Sequence, residues 1–285
     1  MFNNFTVITA TGDRPLCFSL LKKWMKAQTC QPANWVIVDD GKNAMLESEY
    51  NDLPDYTTLL RRNPRPDDPK HTLNINLMAS LPYVTGDFII FFEDDEYYAP
   101  EYLATMSNYL KEYEVVGICR SRYYHLPTYK YYVHPNYDHA SLAQTGFRTS
   151  FIDTFKYLLN GDAFIDMRIW TTVGNKNELL WGKAKFNTRG KEINGKRGYL
   201  FDDAIGNRYI YVGMKGMAGR GGIGSGHKGM GTPDLNQLML RKWISVEEHF
   251  QEYMKIAKGF PVQNTTVPRK VKIPIPIEKL GFPMR

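Results

Sequence analysis

Four consecutive acids, Glu93, Asp94, Asp95 and Glu96, follow directly on the apolar run Phe88-Ile89-Ile90-Phe91-Phe92. Carboxylates at this density repel one another in a fold unless a cation or hydrogen-bond donors offset them. At the end of a buried strand the natural cation is Mg²⁺ or Mn²⁺ holding a phosphorylated ligand. Two other acidic pairs share the pattern. Asp39-Asp40 end the run Trp35-Val36-Ile37-Val38, and Asp202-Asp203 follow Leu200-Phe201. In a parallel sheet the first two clusters lie along the carboxyl edge, where α/β sheets bind ligands.

The elements that must position these acids are readable from apolar patterning. Phe5–Thr9, Trp35–Val38, Thr57–Leu60, Phe88–Phe92 and Val115–Cys119 read as strands. Pro15 suits the first turn of a helix that carries Leu16, Leu20, Leu21 and Trp24 on one face. Leu73, Leu77, Met78 and Leu81 suggest a second helix, and Glu101–Glu112 a third. Alternating strands and helices argue an α/β fold with a mostly parallel sheet. Residues 121–137 are Tyr-rich and read as a hairpin or irregular strands. Asp203–Val212 reads as helical. Residues 213–231 hold nine glycines and are expected to form a mobile loop that a ligand orders. Ser245-Val246-Glu247-Glu248 reads as a capping box opening a helix to about Lys258. The Pro-rich segment beyond it is expected to be extended. We divide the chain into a nucleotide-sugar-binding half (1–120), an acceptor-side half with the Gly-rich loop (121–232) and a C-terminal helix with a basic tail (233–285), all one compact unit.

The 285 residues carry a formal net charge of +6, and the charge is uneven. Residues 183–197 hold +5 and residues 261–285 hold +4, so the remainder is −3. Such segments suit an anionic partner, or serve as solvated loops. No apolar stretch approaches the roughly 20 residues that span a bilayer. No secretory signal is visible, which makes a cytoplasmic location the expectation (host cytoplasm if phage-encoded). Cys17, Cys30 and Cys119 lack metal-ligand spacing and read as reduced thiols. His125, His134 and His139 have no partner residues to complete a zinc site. The tyrosines of 121–137 could stack sugars or bases, or simply build strands.

On these residues the chain resembles GT-A-fold, family-2-like glycosyltransferases, which move a sugar from a nucleotide donor to an acceptor hydroxyl. The resemblance covers roughly residues 5–120 and 200–212. Val7-Ile8-Thr9-Ala10 with Arg14-Pro15 is similar to the first strand and turn that line the nucleotide base. Val36–Gly41 is similar to the second strand with its base- or ribose-binding acids, Asp39 and Asp40. Gly86–Asp95 is similar to the strand carrying the DxD motif, with Asp95 and Glu93 as metal ligands and Asp94 beside the donor. Phe201-Asp202-Asp203 with Arg208 is similar to the late acidic motif that supplies the catalytic base. Two positions depart from the pattern: Glu93 stands for the first Asp of DxD, and Asp202 for the usual Glu.

The resemblance implies a mixed, mostly parallel Rossmann-type sheet flanked by helices. It also implies Mn²⁺ or Mg²⁺ as cofactor and a UDP-sugar as donor. Asp203 is the first candidate for the base and Asp202 the second; the same pair would also suit a helix N-cap. His227 in the Gly-rich loop is a candidate third metal ligand, with Lys228 and Arg220 near the diphosphate. For the acceptor, a hydroxymethylated base in phage-type double-stranded DNA would use segments 183–197 and 261–285 for phosphate contacts. The alternative is a lipid-linked or polysaccharide acceptor at a membrane surface. A sugar nucleotidyltransferase and a non-catalytic nucleic-acid-binding protein are lesser alternatives. Donor sugar, stereochemistry and oligomeric state are not legible.

Overall fold

The computed structural model describes residues 3–43, 50, 52–160, 164–173, 179–180, 183–184, 197–205, 208–220 and 231–259. Its strands are β1 (Asn3–Thr11), β2 (Pro32–Asp39), β3 (Thr57–Arg61), β4 (Phe88–Phe91), β5 (Tyr97–Tyr98), β6 (Val115–Cys119), β7 (Arg122–His125), β8 (Lys130–Val133), β9 (Thr145–Arg148), β10 (Leu179–Leu180), β11 (Lys183–Ala184), β12 (Gly198–Asp202), β13 (Ala204–Ile205), β14 (Arg208–Tyr209), β15 (Tyr211–Lys215) and β16 (Thr232–Pro233). Its helices are α1 (Pro15–Ala27), α2 (Leu73–Ser80), α3 (Tyr102–Leu110), α4 (Ile152–Leu159), α5 (Ile165–Val173), α6 (Leu238–Trp243) and α7 (Glu247–Lys258).

Seven strands form the central sheet in the order β12-β6-β9-β4-β1-β2-β3. Only β9 runs antiparallel, between β4 and β6. The other six are parallel, so their carboxyl ends share one edge. Successive residues point to opposite faces, as the pleat requires. Phe5, Val7, Trp35, Ile37, Ile90, Val116 and Ile118 join a core cluster that includes the buried stripes of α1, α3 and α7. Ile8, Val36, Ile89, Phe91, Val115 and Phe147 join a second cluster with α2, α4 and α5. The sheet is thus sandwiched between two helical layers, the mixed α/β architecture expected from the sequence.

A second, five-stranded sheet, β16-β8-β7-β15-β5, stands beside the first. Its β15 pairs antiparallel with β5 (Tyr211 opposite Tyr98) and parallel with β7 (Lys215 opposite His125). This sheet brings residues 211–215 back to the acidic junction after β4. The Tyr-rich segment forms the β7–β8 hairpin, with Tyr123 and Tyr132 stacked at 5.1 Å between ring centroids.

Some local expectations fail. Asp203–Val212 is not helical: β13 and β14 pair as a short hairpin and lead into β15. The residues between those strands, Gly206-Asn207, are a hairpin turn signal that the helical reading passed over. Helix α7 starts one turn as expected, but its N-cap is Val246, with no side-chain cap hydrogen bond, so the capping box does not form. The Gly-rich stretch begins in strand, since Gly213 and Lys215 belong to β15, and residues 221–230 lie outside the described residues. Helices α4 and α5 have no counterpart in the sequence reading, although Ile152, Phe155 and Leu159, and Ile165, Ile169 and Val173, recur at helical spacing. No helix among the described residues is long and apolar enough to cross a membrane.

Candidate active site

The carboxyl edge of the central sheet gathers all three acidic clusters, because β2, β4 and β12 are parallel and end there. What surrounds each pair differs.

At the end of β2, Asp39 is fully buried. Arg61 pairs with its Oδ2 at 2.9 Å, the Tyr50 hydroxyl donates to the same oxygen, and the Gly41 N–H donates to Oδ1. Asp40 is 1% exposed and sits between Arg62 at 2.8 Å and Arg220 at 2.5 Å. Burial alone would raise its pKa, but hydrogen bonds from Arg220, Thr72, Arg62 and Asn76 hold it below the ordinary value. The β1 and β2 loops touch here. Asp13 accepts from the Lys42 and Asn43 N–H groups, and a Cβ on Gly12 would lie 2.6 Å from the Gly41 nitrogen and 2.7 Å from Asp40 Oδ1. Only glycine permits that approach.

At the end of β4, Asp94 is 4% exposed. It accepts from the Thr11 hydroxyl at 2.7 Å and from Arg14 Nη1 at 2.8 Å. The same Arg14 nitrogen lies 2.9 Å from Asp95 Oδ2. Burial disfavours the Arg14 charge, yet Asp95 and Asp94 outweigh it and hold the guanidinium charged. Arg14 Nε also donates to the Arg220 carbonyl, which ties the first turn to the start of the Gly-rich segment. Glu96 is 2% exposed; Lys215 Nζ pairs with its Oε1 at 2.6 Å and the Met214 N–H donates to Oε2 at 2.6 Å. Burial, with Asp95 and Glu96 close by, pushes the Glu93 carboxyl up to about 8. Burial lifts Glu96 to about 7 against the pull of Lys215, and Asp94 to about 6 against Arg14.

A carboxylate oxygen from each of Glu93, Asp95 and Glu96 lies within 4.8 Å of the others. Hard oxygen donors at this separation fit Mg²⁺ or Mn²⁺. Of the three, Asp95 meets Arg14 alone among the described residues and is 22% exposed on its side chain, whereas both Glu96 oxygens are already engaged.

At the end of β12, Arg120 Nη1 and Arg122 Nη2 grip Asp202 at 2.7 and 2.8 Å. Arg122 also pairs with Asp203, which is fully buried and accepts from the Tyr211 N–H at 3.1 Å. The Arg122 guanidinium lies 3.9 Å over the Tyr209 ring. Burial raises Asp203 to about 6, opposed by Arg122. The Asp202 side chain is 26% exposed and the Asp203 side chain 1%.

The remaining sequence-derived candidates separate. Ala10 is partly exposed at the end of β1, while Thr9 is buried inside the sheet with its hydroxyl accepting from the Trp35 indole at 2.9 Å. Thr11, two residues on, is the threonine that reaches the acids. Arg220 stands at Asp40. His227 and Lys228 lie outside the described residues. Of the basic segment 183–197, Arg197 is buried against Glu114 at 3.2 Å, so it does not face solvent as a phosphate contact must. The tail 261–285 lies outside the described residues. Sequence reasoning missed Arg61, Arg62, Arg120, Arg122 and Lys215. The adjacent pair Arg61-Arg62 directly after a strand was the available signal.

Comparisons with known proteins follow the same lines. The model of glycosyl transferase family 2 matches residues 19–169, more than half of the chain. No curated protein matches the sequence. Among solved structures the chain is similar to S. aureus TarS, at 16% identity and a TM-score of 0.45, over 74% of this chain and 36% of that one. It is similar to S. aureus TarS 1–349 in complex with UDP-GlcNAc, at 16% identity and a TM-score of 0.45, over 77% and 59%. It is also similar to the mannosyltransferase PcManGT from Pyrobaculum calidifontis in complex with GDP-Man and Mn²⁺, at 17% identity and a TM-score of 0.41, over 60% and 52%. The chain thus spans between about a third and three fifths of the length of these proteins. With the matched segment running from α1 through α5 and containing the Asp39-Asp40 and Glu93–Glu96 clusters, this chain belongs to glycosyl transferase family 2.

Proposed function

We propose that the chain transfers a sugar from a nucleotide donor, a UDP-sugar, to an acceptor hydroxyl with the help of a divalent metal. One observation carries the reading: the Glu93–Glu96 junction brings four carboxylates to the ligand-binding edge of the sheet with, among the described residues, only Arg14 and Lys215 as partner cations. Glu93 and Asp95 would hold Mn²⁺ or Mg²⁺, which when bound supplies Lewis-acid stabilisation of the departing diphosphate. Asp40 and the apposed Gly12 and Gly41 loops would receive the nucleoside. Arg220, paired with Asp40 and 43% exposed on its side chain, is the cation that would turn from Asp40 to the diphosphate.

Removal of the acceptor proton falls to the late acidic pair. Asp202 reaches solvent without rearrangement, whereas Asp203 acts only if Arg122 withdraws from it. Asp202→Asn and Asp203→Asn decide between them: the base variant loses turnover by about 10²-fold or more while donor binding stays.

For the acceptor, a hydroxymethylated base in duplex DNA is the proposal that the basic segments support. The burial of Arg197 leaves that support to the rest of 183–197 and to 261–285. Steep salt dependence of duplex binding is expected. Liposome binding without duplex binding replaces it with the lipid-linked acceptor. The donor is tested by thermal shift with UDP-, GDP- and TDP-sugars, with and without Mn²⁺. The expected result is a UDP-sugar shift that needs the metal, since a ligand that binds only the folded state raises Tm.

A further inference from the structure

We propose that Lys215 is a positioning residue that keeps Glu96 off the metal, so that a divalent ion is held by Glu93 and Asp95 alone. The inference rests on the reading of the acidic junction as the metal site. Three carboxylates converge there within 4.8 Å, a set that would bring three negative charges to one divalent ion. Mg²⁺-type sites that serve phosphorylated substrates use one or two carboxylates and leave the other positions to water and phosphate oxygens. A third carboxylate would compete with the diphosphate for those positions.

The fold removes the third one. Glu96 directly precedes β5, and the antiparallel pairing of β5 with β15 (Tyr97 opposite Val212) sets it beside residues 213–215. Both of its oxygens are consumed there. Lys215 Nζ takes Oε1 at 2.6 Å and the Met214 N–H takes Oε2 at 2.6 Å. The Glu96 side chain is 2% exposed and that of Lys215 13%, so little water competes for the pair. The parallel partner β7 places Tyr123 alongside, with the Lys215 ammonium 5.2 Å from the ring centroid. Breaking such a pair from one side leaves a buried charge without its partner, which fixes the ammonium in place. The Glu93 carboxylate differs: among the described residues no hydrogen bond or ion pair reaches it, and only its backbone N–H is engaged, donating to the Tyr98 hydroxyl at 2.8 Å. Of the three converging carboxylates, Lys215 therefore retains Glu96, while Glu93 stays open and Asp95, 22% exposed on its side chain, meets Arg14.

Mn²⁺ titration of the nucleotide-free chain, followed by electron paramagnetic resonance of the free ion, tests this. Glu96→Gln is expected to leave Mn²⁺ affinity within about threefold of wild type, because Glu96 is not a ligand. Lys215→Met releases a third carboxylate and is expected to tighten Mn²⁺ binding by about tenfold or more, since affinity at oxygen-ligand sites rises with ligand charge. Lys215→Met with Glu96→Gln returns to the wild-type value. A tenfold loss of affinity in Glu96→Gln overturns the proposal. So does an unchanged affinity in Lys215→Met whose thermal melt shows it folded, or the absence of Mn²⁺ uptake by both wild type and Lys215→Met. Should Lys215→Met fail to fold, Glu96→Gln alone decides. Because no nucleotide is present, Mn²⁺ binding as described alongside a failure to bind any sugar nucleotide supports this inference while removing the donor reading.

Discussion

The ends of β2 and β4 are both acidic and both lie on the same edge of the sheet, but they are built differently. After β2 each acid has its own arginine, Arg61 for Asp39 and Arg62 for Asp40, with Arg220 added. After β4 four acids share Arg14 and Lys215. Where cations match the acids, the carboxylates serve the protein: they lock loops and stay charged, as the lowered Asp40 pKa shows. Where they do not match, burial and mutual repulsion push the carboxyls toward protonation, and a cation from solution would relieve the excess. The late pair, Asp202-Asp203 under Arg120 and Arg122, matches the β2 end in its cations, although burial still lifts Asp203 to about 6.

The sharpest way to break this contrast is to strip a saturated acid of its cation. Arg122→Ala leaves Asp203 buried without its partner and is expected to cost about 3–5 kcal/mol in urea unfolding at pH 8. The cost should shrink below about pH 6, where Asp203 is protonated. A change under 1 kcal/mol would place the β12 end with the unsaturated region.

Next in size is Gly12→Ala, which drives a methyl group into the Asp40–Gly41 loop. Donor affinity by calorimetry is expected to fall about tenfold, or 1.4 kcal/mol, with Mn²⁺ binding unchanged. A parallel loss of Mn²⁺ binding would mean that the two acidic regions are not independent.

Glu93→Gln probes the unsaturated side in the opposite direction. It removes a charge that burial opposes and should raise the metal-free Tm by about 2–4 °C, roughly 1 kcal/mol. The pH dependence carries the same sign. Glu93, Glu96 and Asp203 have folded-state pKa values raised to about 8, 7 and 6 from 4.5, 4.5 and 3.8. Their stabilising contribution is complete below about pH 4 and is lost as pH rises through those folded values. Metal-free Tm should therefore drift down from pH 5 to pH 8, and Mn²⁺ should recover more of it at pH 8 than at pH 6. A metal-free Tm that climbs over this range contradicts the reading of the junction.

The smallest effect belongs to the solvent-exposed control. Lys23 pairs with Glu252 between α1 and α7 with half of its side chain exposed, and Lys23→Ala should cost less than about 1 kcal/mol, shrinking in high salt.

The apolar runs made the central sheet legible. Trp35–Val38 and Phe88–Phe92 are buried on both faces, and a parallel strand under two helical layers leaves that trace in sequence. The order of the acidic motifs gave the family for the same reason, since each closes such a strand. The partners of those acids were not legible. Arg61 meets Asp39 across neighbouring strands, Arg122 meets Asp203 across 81 positions, and Lys215 meets Glu96 across 119, pairings that only topology creates. The hairpin at β13–β14 was missed because short strands leave no period to read, although the dipeptide Gly206-Asn207 is a turn signal in the sequence. The role of Thr9 was misplaced by a register detail. It alternates inward to Trp35, and the next threonine on the strand, Thr11, is the one at the acids.

The central claim is that the unsaturated junction after β4, and not the saturated one after β2, holds the ion that grips the donor. UDP affinity measured with and without Mn²⁺, in wild type and in Asp95→Asn, tests it most directly. The account predicts that Mn²⁺ strengthens UDP binding in wild type by about tenfold or more, and that Asp95→Asn abolishes this gain while leaving metal-free UDP binding and Tm near wild type. An Asp95→Asn chain that keeps its Mn²⁺-dependent gain would contradict it.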